Sequence, residues 1–400
     1  MNTTPSRRSF FGLNAANFLQ AEMVGVVIPV LNGFLRTAGW SYDAIGVATA
    51  AAGLGTLAFQ ALAGWLTDRW KWRRAAFSAA SVLTGISFAA IPRIPRTHVW
   101  IDSLLFFSGA IQSFFGPLLG ALALGLAGHR LLNRTMGANQ GWNHAGNIAA
   151  ALLAMGVVSV LGLNALFYSV GVFSLFAAAS MLLIRAQDLD EQLATGLTRE
   201  RRQPVRWTEL LGDPRVLFLF LAIFAFHLAN APILPTVALY VKHLGGSDKL
   251  MTATVLTAQL VMAPVSLAAG RLCDSVGRKP VMAAAFVVLP VRILSYSLVS
   301  NPMAVVWLQG LDGIGAGIYG VAVVAMAADL TRGKGHFNAL IGLFASAVAV
   351  GGVLGPLASG LLVQKFGFRI AFYGFALLAA GGAALFLFSV PETRPADAGQ

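Results

Sequence analysis

Residues able to do chemistry are few in this chain of 400 residues, of which only 11% are charged. Glu22 follows Asn14, Asn17 and Gln20 in a stretch that is otherwise largely apolar. An acid there can take up and release a proton, and the amides beside it can hydrogen-bond a small solute. His227, with Asn230 almost one helical turn further on, sets another titratable group beside an amide in the second half. Interhelical glue is the plainer account of Glu22, through His227 or an amide of another helix. Arg292 and Asp312 lie in two successive apolar runs. A buried salt bridge is the simplest account of them, with anion recognition by Arg292 or proton coupling through Asp312 as the alternative. Gln140, Asn143, His144 and Asn147 share one helical face. Such a face suits substrate binding or a gate, and equally suits ordinary hydrogen bonding between helices.

Bond-making catalysis is not expected from these groups. No nucleophile–base pair, metal motif or nucleotide loop occurs, and no loop is long enough for a catalytic domain. His144 and His227 stand on different predicted helices with no His-x-x-x-His or acid-rich cluster, so no metal is expected. The single cysteine, Cys273, excludes an intrachain disulfide and a cysteine metal site. No cofactor is implied.

The elements that must hold these residues are set by composition. With 57% hydrophobic residues, a mean hydropathy of +0.73 and apolar runs long enough to cross a bilayer, the chain reads as a polytopic membrane protein. A net charge of +12 might suggest nucleic acid, but the basic residues are spread over short loops with no basic face, so none is expected as a partner. At about 20 apolar residues per span, helices are predicted near 10–34, 43–66, 75–95, 100–126, 138–162 and 164–185, then 216–240, 251–271, 280–299, 303–327, 338–363 and 370–390. Glu22 then lies about 18 Å into the bilayer, near its middle, with His227 at matching depth. Arg292 and Asp312 fall level with each other in adjacent spans. Ser6-Arg7-Arg8-Ser9-Phe10-Phe11 has the outline of a twin-arginine export signal. The polar residues after it, the lack of a small-residue cleavage site and the many later spans favour two cytoplasmic arginines before a first helix.

Between the second and third spans the chain reads Gly64-Trp-Leu-Thr-Asp68-Arg69-Trp-Lys71-Trp-Arg73-Arg74, and 206 residues on it reads Gly270-Arg-Leu-Cys-Asp274-Ser-Val-Gly-Arg278-Lys279. Pro29 and Pro235 keep the same spacing, which suggests two related halves pointing the same way. Gly64 lets helices approach closely, Asp68 can accept from the free amides of a nearby helix start, and the basic residues can reach carboxylates or lipid headgroups. Plain positive-inside charge explains the arginines but not Gly64 with Asp68. Most of the 28 Lys and Arg residues fall on the side of these two loops and of both termini, which the positive-inside rule makes cytoplasmic.

Twelve spans in two parallel halves, a Gly-x-x-x-Asp-Arg loop after the second, a degenerate copy after the eighth and Pro391-Glu392-Thr393 after the last resemble the major facilitator superfamily of secondary transporters. The resemblance implies an all-α membrane protein of twelve transmembrane helices in two parallel six-helix bundles, 1–185 and 215–400, joined by a cytoplasmic linker at 186–214. It further implies bundles that rock about a site near the midplane, lined by the first, fourth, seventh and tenth spans. In the family the loop secures the cytoplasmic side, a gating role carried here to Gly64, Asp68, Arg69 and Arg73 and to Gly270, Asp274 and Arg278 in the copy. Two features depart from proton-coupled exporters: the fourth span offers Gln112 and Gly116 but no central arginine, and the Gly-Pro signature of the fifth span is absent. A similar Gly351-x-x-x-Gly355-Pro356-x-x-x-Gly360 stretch lies in the eleventh.

The expectation is therefore secondary active transport of a small organic solute by alternating access, as export in exchange for protons with Glu22 as carrier. Proton-coupled uptake of an organic acid or nutrient is the alternative, favoured if Arg292 faces the cavity. A non-transporting receptor or scaffold is a reading of another class. The expected partners are a small-molecule substrate, protons and the lipid bilayer, for a monomer in a bacterial inner membrane.

Overall fold

A computed structural model describes residues 6–24, 31, 34–35, 38–40, 42–197, 206–246 and 248–395. Inside lipid every backbone polar group must be satisfied by the chain itself, which leaves helices as the economical solution for apolar runs of this length. Helices α1 (Arg7–Val24), α2 (Tyr42–Arg69), α3 (Arg73–Ala90), α4 (His98–Gln112), α5 (Phe115–Leu161) and α6 (Leu163–Ser180) come first. After a short α7 (Trp207–Leu211) follow α8 (Pro214–Asn230), α9 (Ile233–His243), α10 (Asp248–Ser275), α11 (Arg278–Leu298), α12 (Pro302–Thr331) and α13 (Phe337–Ser389). Among the described residues there is no strand, and eight helices are long and apolar enough to cross a membrane. Large apolar side chains point outward along them: Phe388 is 89% exposed and Val160 80%. In water such surface would be a liability; in lipid it is the ordinary outer face.

The chain breaks its helices with glycine and proline rather than with polarity. Within α5 the backbone turns at Gly128 (φ 59, ψ 176) and within α13 at Gly367 (φ 79, ψ 170), conformations that only glycine adopts without strain. The fifth span therefore starts directly after Gly128, ahead of the expected 138, and draws Arg130, Asn133 and Arg134 into a helix. Polar residues end an apolar run without ending a helix, so hydropathy places that boundary too late. The predicted seventh span is divided into α8 and α9 around Ala231 and Pro232, where proline contributes no N–H to the ladder.

Two compact units divide the chain: residues 1–132, 142–202 and 335–342 form one, and 133–141, 203–334 and 343–400 the other. In unit one, α2 and α4 approach through two glycines. A Cβ on Gly55 would lie 1.9 Å from the carbonyl oxygen of Phe106, and one on Gly109 2.0 Å from that of Ala52. Thr56 Oγ1 donates to the Gly109 carbonyl at 3.1 Å across the same contact. In unit two, α10 and α12 also meet through glycine, a Cβ on Gly313 falling 2.6 Å from the Ala258 carbonyl oxygen, with Ser266 Oγ donating to the Gly317 carbonyl at 3.2 Å.

The predicted polar linker begins as packed structure. Leu189, Ala194 and Leu197 are buried in unit one, and Asp190 N–H donates to the Gly125 carbonyl at 3.0 Å. Asp188 accepts from Ser6 Oγ at 2.6 Å and Ser9 Oγ at 2.7 Å; these hydroxyls hold its carboxyl below the usual range. Arg199, Glu200, Arg201 and Arg202 of that linker, and Pro29 of the repeat, lie outside the described residues.

Gly109→Val should push α2 and α4 apart at a cost of about 1–3 kcal/mol. The thermal midpoint in detergent, followed by size-exclusion chromatography after heating, is expected to fall by several degrees. An unchanged midpoint would contradict so close an approach.

Candidate functional site

The first loop motif holds the start of a distant helix. Asp68 Oδ1 accepts from Asn338 N–H at 3.2 Å and from Asn338 Nδ2 at 2.8 Å, and Oδ2 accepts from Ala339 N–H at 2.9 Å. These residues open α13, where N–H groups have no partner within the helix and the dipole favours an anion. Gly64, one turn before, permits the contact: a Cβ there would sit 2.3 Å from the Asn338 carbonyl oxygen. Arg73 is buried, pairs with Glu191, and donates Nε to the Thr67 carbonyl at 3.1 Å. Arg69 goes elsewhere. It is exposed, its guanidinium 3.9 Å from the centre of the Trp65 ring, with no carboxylate partner among the described residues.

Unit two repeats the arrangement with a different partner. A Cβ on Gly270 would lie 2.5 Å from the Asn133 carbonyl oxygen. Asp274 Oδ1 accepts from Asn133 Nδ2 at 2.6 Å, and Arg134 Nε is 3.7 Å from Oδ2. Asn133 stands a full turn inside its helix segment, so its amide side chain does the donating. Arg278 donates Nη1 to the Cys273 carbonyl at 2.9 Å and brings Nε within 2.8 Å of Asp329. Glu392 accepts the backbone N–H groups of Arg278 and Lys279 at 3.0 and 3.1 Å.

Glu22 lies buried on α1, and neither carboxylate oxygen has a hydrogen-bond partner among the described residues. Amides earlier on α1 and those of α5 are engaged with one another. Asn143 Nδ2 donates to the Asn17 carbonyl at 3.2 Å and to Gln20 Oε1 at 3.0 Å, and Asn147 Nδ2 donates to the Asn143 carbonyl at 3.1 Å. His144 is half-buried on the same stretch of α5. Gln140, on the same predicted face, belongs to unit two and donates to the Gly320 carbonyl at 3.4 Å.

His227 is in unit two, whereas Glu22 is in unit one. Its ring stands edge-on to Tyr319, centres 4.6 Å apart, and its Nε2 is buried with no hydrogen-bond partner among the described residues. Asn230 does not join it. Asn230 Oδ1 accepts from Arg292 Nη2 at 2.6 Å, and Arg292 pairs with Asp312, making one buried polar group across α8, α11 and α12. Among the described residues no cluster of His, Cys, Asp and Glu could hold a metal.

A family model described as Major Facilitator Superfamily matches residues 10–274 and 219–400. The chain belongs to the major facilitator superfamily. It is 33% identical over 392 residues to an uncharacterized MFS-type transporter of Mycobacterium tuberculosis, covering 96% of this chain and 94% of that one. It is 22% identical over 383 residues to the multi-drug resistance efflux pump PmrA of Streptococcus pneumoniae, covering 94% and 93%. Its fold matches the crystal structure of the human organic anion transporter MFSD10 (TETRAN) with a TM-score of 0.75 at 15% identity, over 96% of this chain and 100% of that one. The protein is therefore a multi-pass membrane transporter for a small molecule and not an enzyme, with the twelve-helix fold of its superfamily.

In this superfamily member the partners of the two loop motifs escaped the sequence reading. Asn133-x-x-x-Gly137 and Asn338-x-x-x-Gly342 supply the amide and the small residue that each loop meets. A Cβ on Gly137 or Gly342 would lie 2.7 Å from a backbone oxygen, of Ser266 and Gln60 respectively. The signal was present as a second spaced pair in both halves, hidden because asparagine and glycine are common.

Removing the Asp68 carboxylate strands two backbone donors and one amide, so Asp68→Ala should cost about 2–4 kcal/mol and Asp274→Ala roughly half of that. Thermal midpoints in detergent will rank them, and equal losses would contradict the asymmetry. Arg292→Leu and Asp312→Leu should each destabilise by about 3–5 kcal/mol, while the double variant recovers most of the loss. A double variant no better than either single one would assign the pair more than a structural role.

Proposed function

We propose that this transporter exports a small organic solute in exchange for protons, with Glu22 as the proton carrier. The observation behind this reading is the Glu22 carboxylate, buried with no hydrogen-bond partner among the described residues. Burying an ion without a partner is far more costly than burying the neutral acid, so protonation of this group is tied to whether water reaches it. Alternating access varies exactly that quantity. The side-chain amides of Gln20, Asn143 and Asn147, which bond one another, and of Asn17, which donates to the Leu13 carbonyl, can exchange those bonds for bonds to a solute. The name of the pneumococcal relative, a multidrug efflux pump, favours export.

In this reading the bundles 1–185 and 215–400 rock about the linker 186–214. Asp68 on the first turn of α13, and Asp274 on Asn133, are contacts held in the state described and released in the other. Gly64, Gly270, Arg73 and Arg278 shape and brace them. With the basic loops on the cytoplasmic side, as the positive-inside rule favours, both termini face the cytoplasm across a bacterial inner membrane in this reading, and one chain carrying both halves acts as a monomer. Uptake of an organic acid through Arg292 is less favoured, because that guanidinium already faces Asp312 and Asn230. A receptor or scaffold would keep its activity without Asp68 and Glu22.

The test is luminal pH in proteoliposomes, wild type against Glu22→Gln, as amphipathic cations, neutral drugs and organic acids are added. A solute-dependent proton flux in the wild type, lost in the variant, is expected, with its direction separating antiport from symport. Equal fluxes in both proteins would remove Glu22 from the proton path.

A further inference from the structure

On another side of unit one, α2, α3 and α4 enclose a groove of about 1000 Å³ that none of the polar groups near Glu22 lines. Its floor is small: Ala75, Ala76, Ala79 and Ala80 follow one face of α3. Its rim is large, apolar and outward, with Phe107 61% and Trp72 81% exposed. In a membrane transporter that face meets lipid.

One end of the groove is charged. Of the four basic residues in this loop, Arg73 and Arg74 are turned into the protein, the first to Glu191 and the second to the Ile184 carbonyl at 2.6 Å. Arg69 and Lys71 line the groove instead, and among the described residues no carboxylate pairs with either. Trp70 fixes the wall beside them by stacking on Phe114, ring centres 5.7 Å apart and planes within 6°. From Trp72 to Leu83 the helix rises about 16 Å, roughly half the hydrocarbon thickness of a bilayer. The groove thus runs from a Trp-flanked, cationic mouth at the depth of headgroups to about the middle of the membrane, the span of one leaflet.

We propose that this groove is a binding site for an anionic phospholipid of the surrounding bilayer, with an acyl chain along the alanine face of α3 and the phosphate between Arg69 and Lys71. The small floor admits a chain where larger side chains would fill the space, and two cations with no carboxylate partner among the described residues select a net negative headgroup over a zwitterionic one. Arg69 is then a lipid ligand, which accounts for its turning away from the Asp68 contact. The site is independent of the solute carried and of the direction of transport.

The purified full-length protein in detergent would be titrated with palmitoyl-oleoyl phosphatidylglycerol and with phosphatidylcholine of the same chains, counting bound lipid by native mass spectrometry. One site preferring phosphatidylglycerol by about twenty-fivefold is expected, at roughly fivefold for each of the two cations. Arg69→Gln combined with Lys71→Gln should bring the two lipids level, and Ala79→Trp, which fills the floor, should weaken both. Equal affinities in the wild type, or a preference that survives the double substitution, would overturn the proposal. Should the double variant fail to fold, brominated chains decide the matter on sound protein. The fluorescence contributed by Trp72, taken as wild type minus Trp72→Phe, must be quenched at a lower mole fraction of brominated phosphatidylglycerol than of brominated phosphatidylcholine. Equal quenching would overturn the proposal as well.

Discussion

A charge buried without a partner costs several kcal/mol even after the protein relaxes around it, and this chain meets that constraint at nearly every charge it buries. Asp68 faces the open amides of a helix start. Arg73 faces Glu191, Arg278 faces Asp329, and Arg292 faces Asp312 with Asn230 completing the group. Three of these contacts join segments far apart in sequence, and the fourth, Arg292 with Asp312, joins successive helices. Apolar packing between helices in lipid says little about which helix belongs beside which, since a neighbouring helix and a lipid tail are equally apolar. The sparse charges therefore mark the register of the fold. Glu22 departs from the pattern, and its isolation among the described residues is why it carries the functional reading.

The two halves share a plan and differ in strength. Thr67 and Cys273 hold corresponding places, each giving its carbonyl to the arginine that follows the loop. The carboxylates diverge because their partners do. Asn338 is at the first turn of its helix, where backbone N–H groups are free, while Asn133 is a turn further in, where they are not. Three residues of difference, about one turn, in where a helix begins turn a three-bond contact into a single bond with a distant arginine. The degenerate spelling of the second loop and the weaker grip of Asp274 are two views of that difference.

Much of this was legible in the residues themselves. Composition and span length give the membrane class, and the repeated Gly-x-x-x-Asp spacing marks the loops. Counting residues along spans places Arg292 and Asp312 level, and the structure pairs them. Counting gives depth and face, but not the identity of the helix opposite. Asn230 accordingly looked like a companion of His227 and instead accepts from Arg292. The family resemblance carries Arg69 into the gate with Asp68, yet successive residues on a helix point about 100° apart, and its guanidinium stands over the Trp65 ring. The linker looked polar by composition, although three apolar residues are enough to seat its first turns in unit one. The early start of the fifth helical segment was invisible to hydropathy because a helix does not stop where the membrane does.

Cys273 has an experimental consequence. It is the only thiol in the chain, fully buried, with its backbone oxygen taken up by Arg278. Thiol reagents act on an accessible thiolate, so the folded protein presents them with no native target. Single cysteines introduced on the exposed ends of helices would carry spectroscopic labels without removal of the natural one, and the natural one becomes a built-in gauge of unfolding during purification.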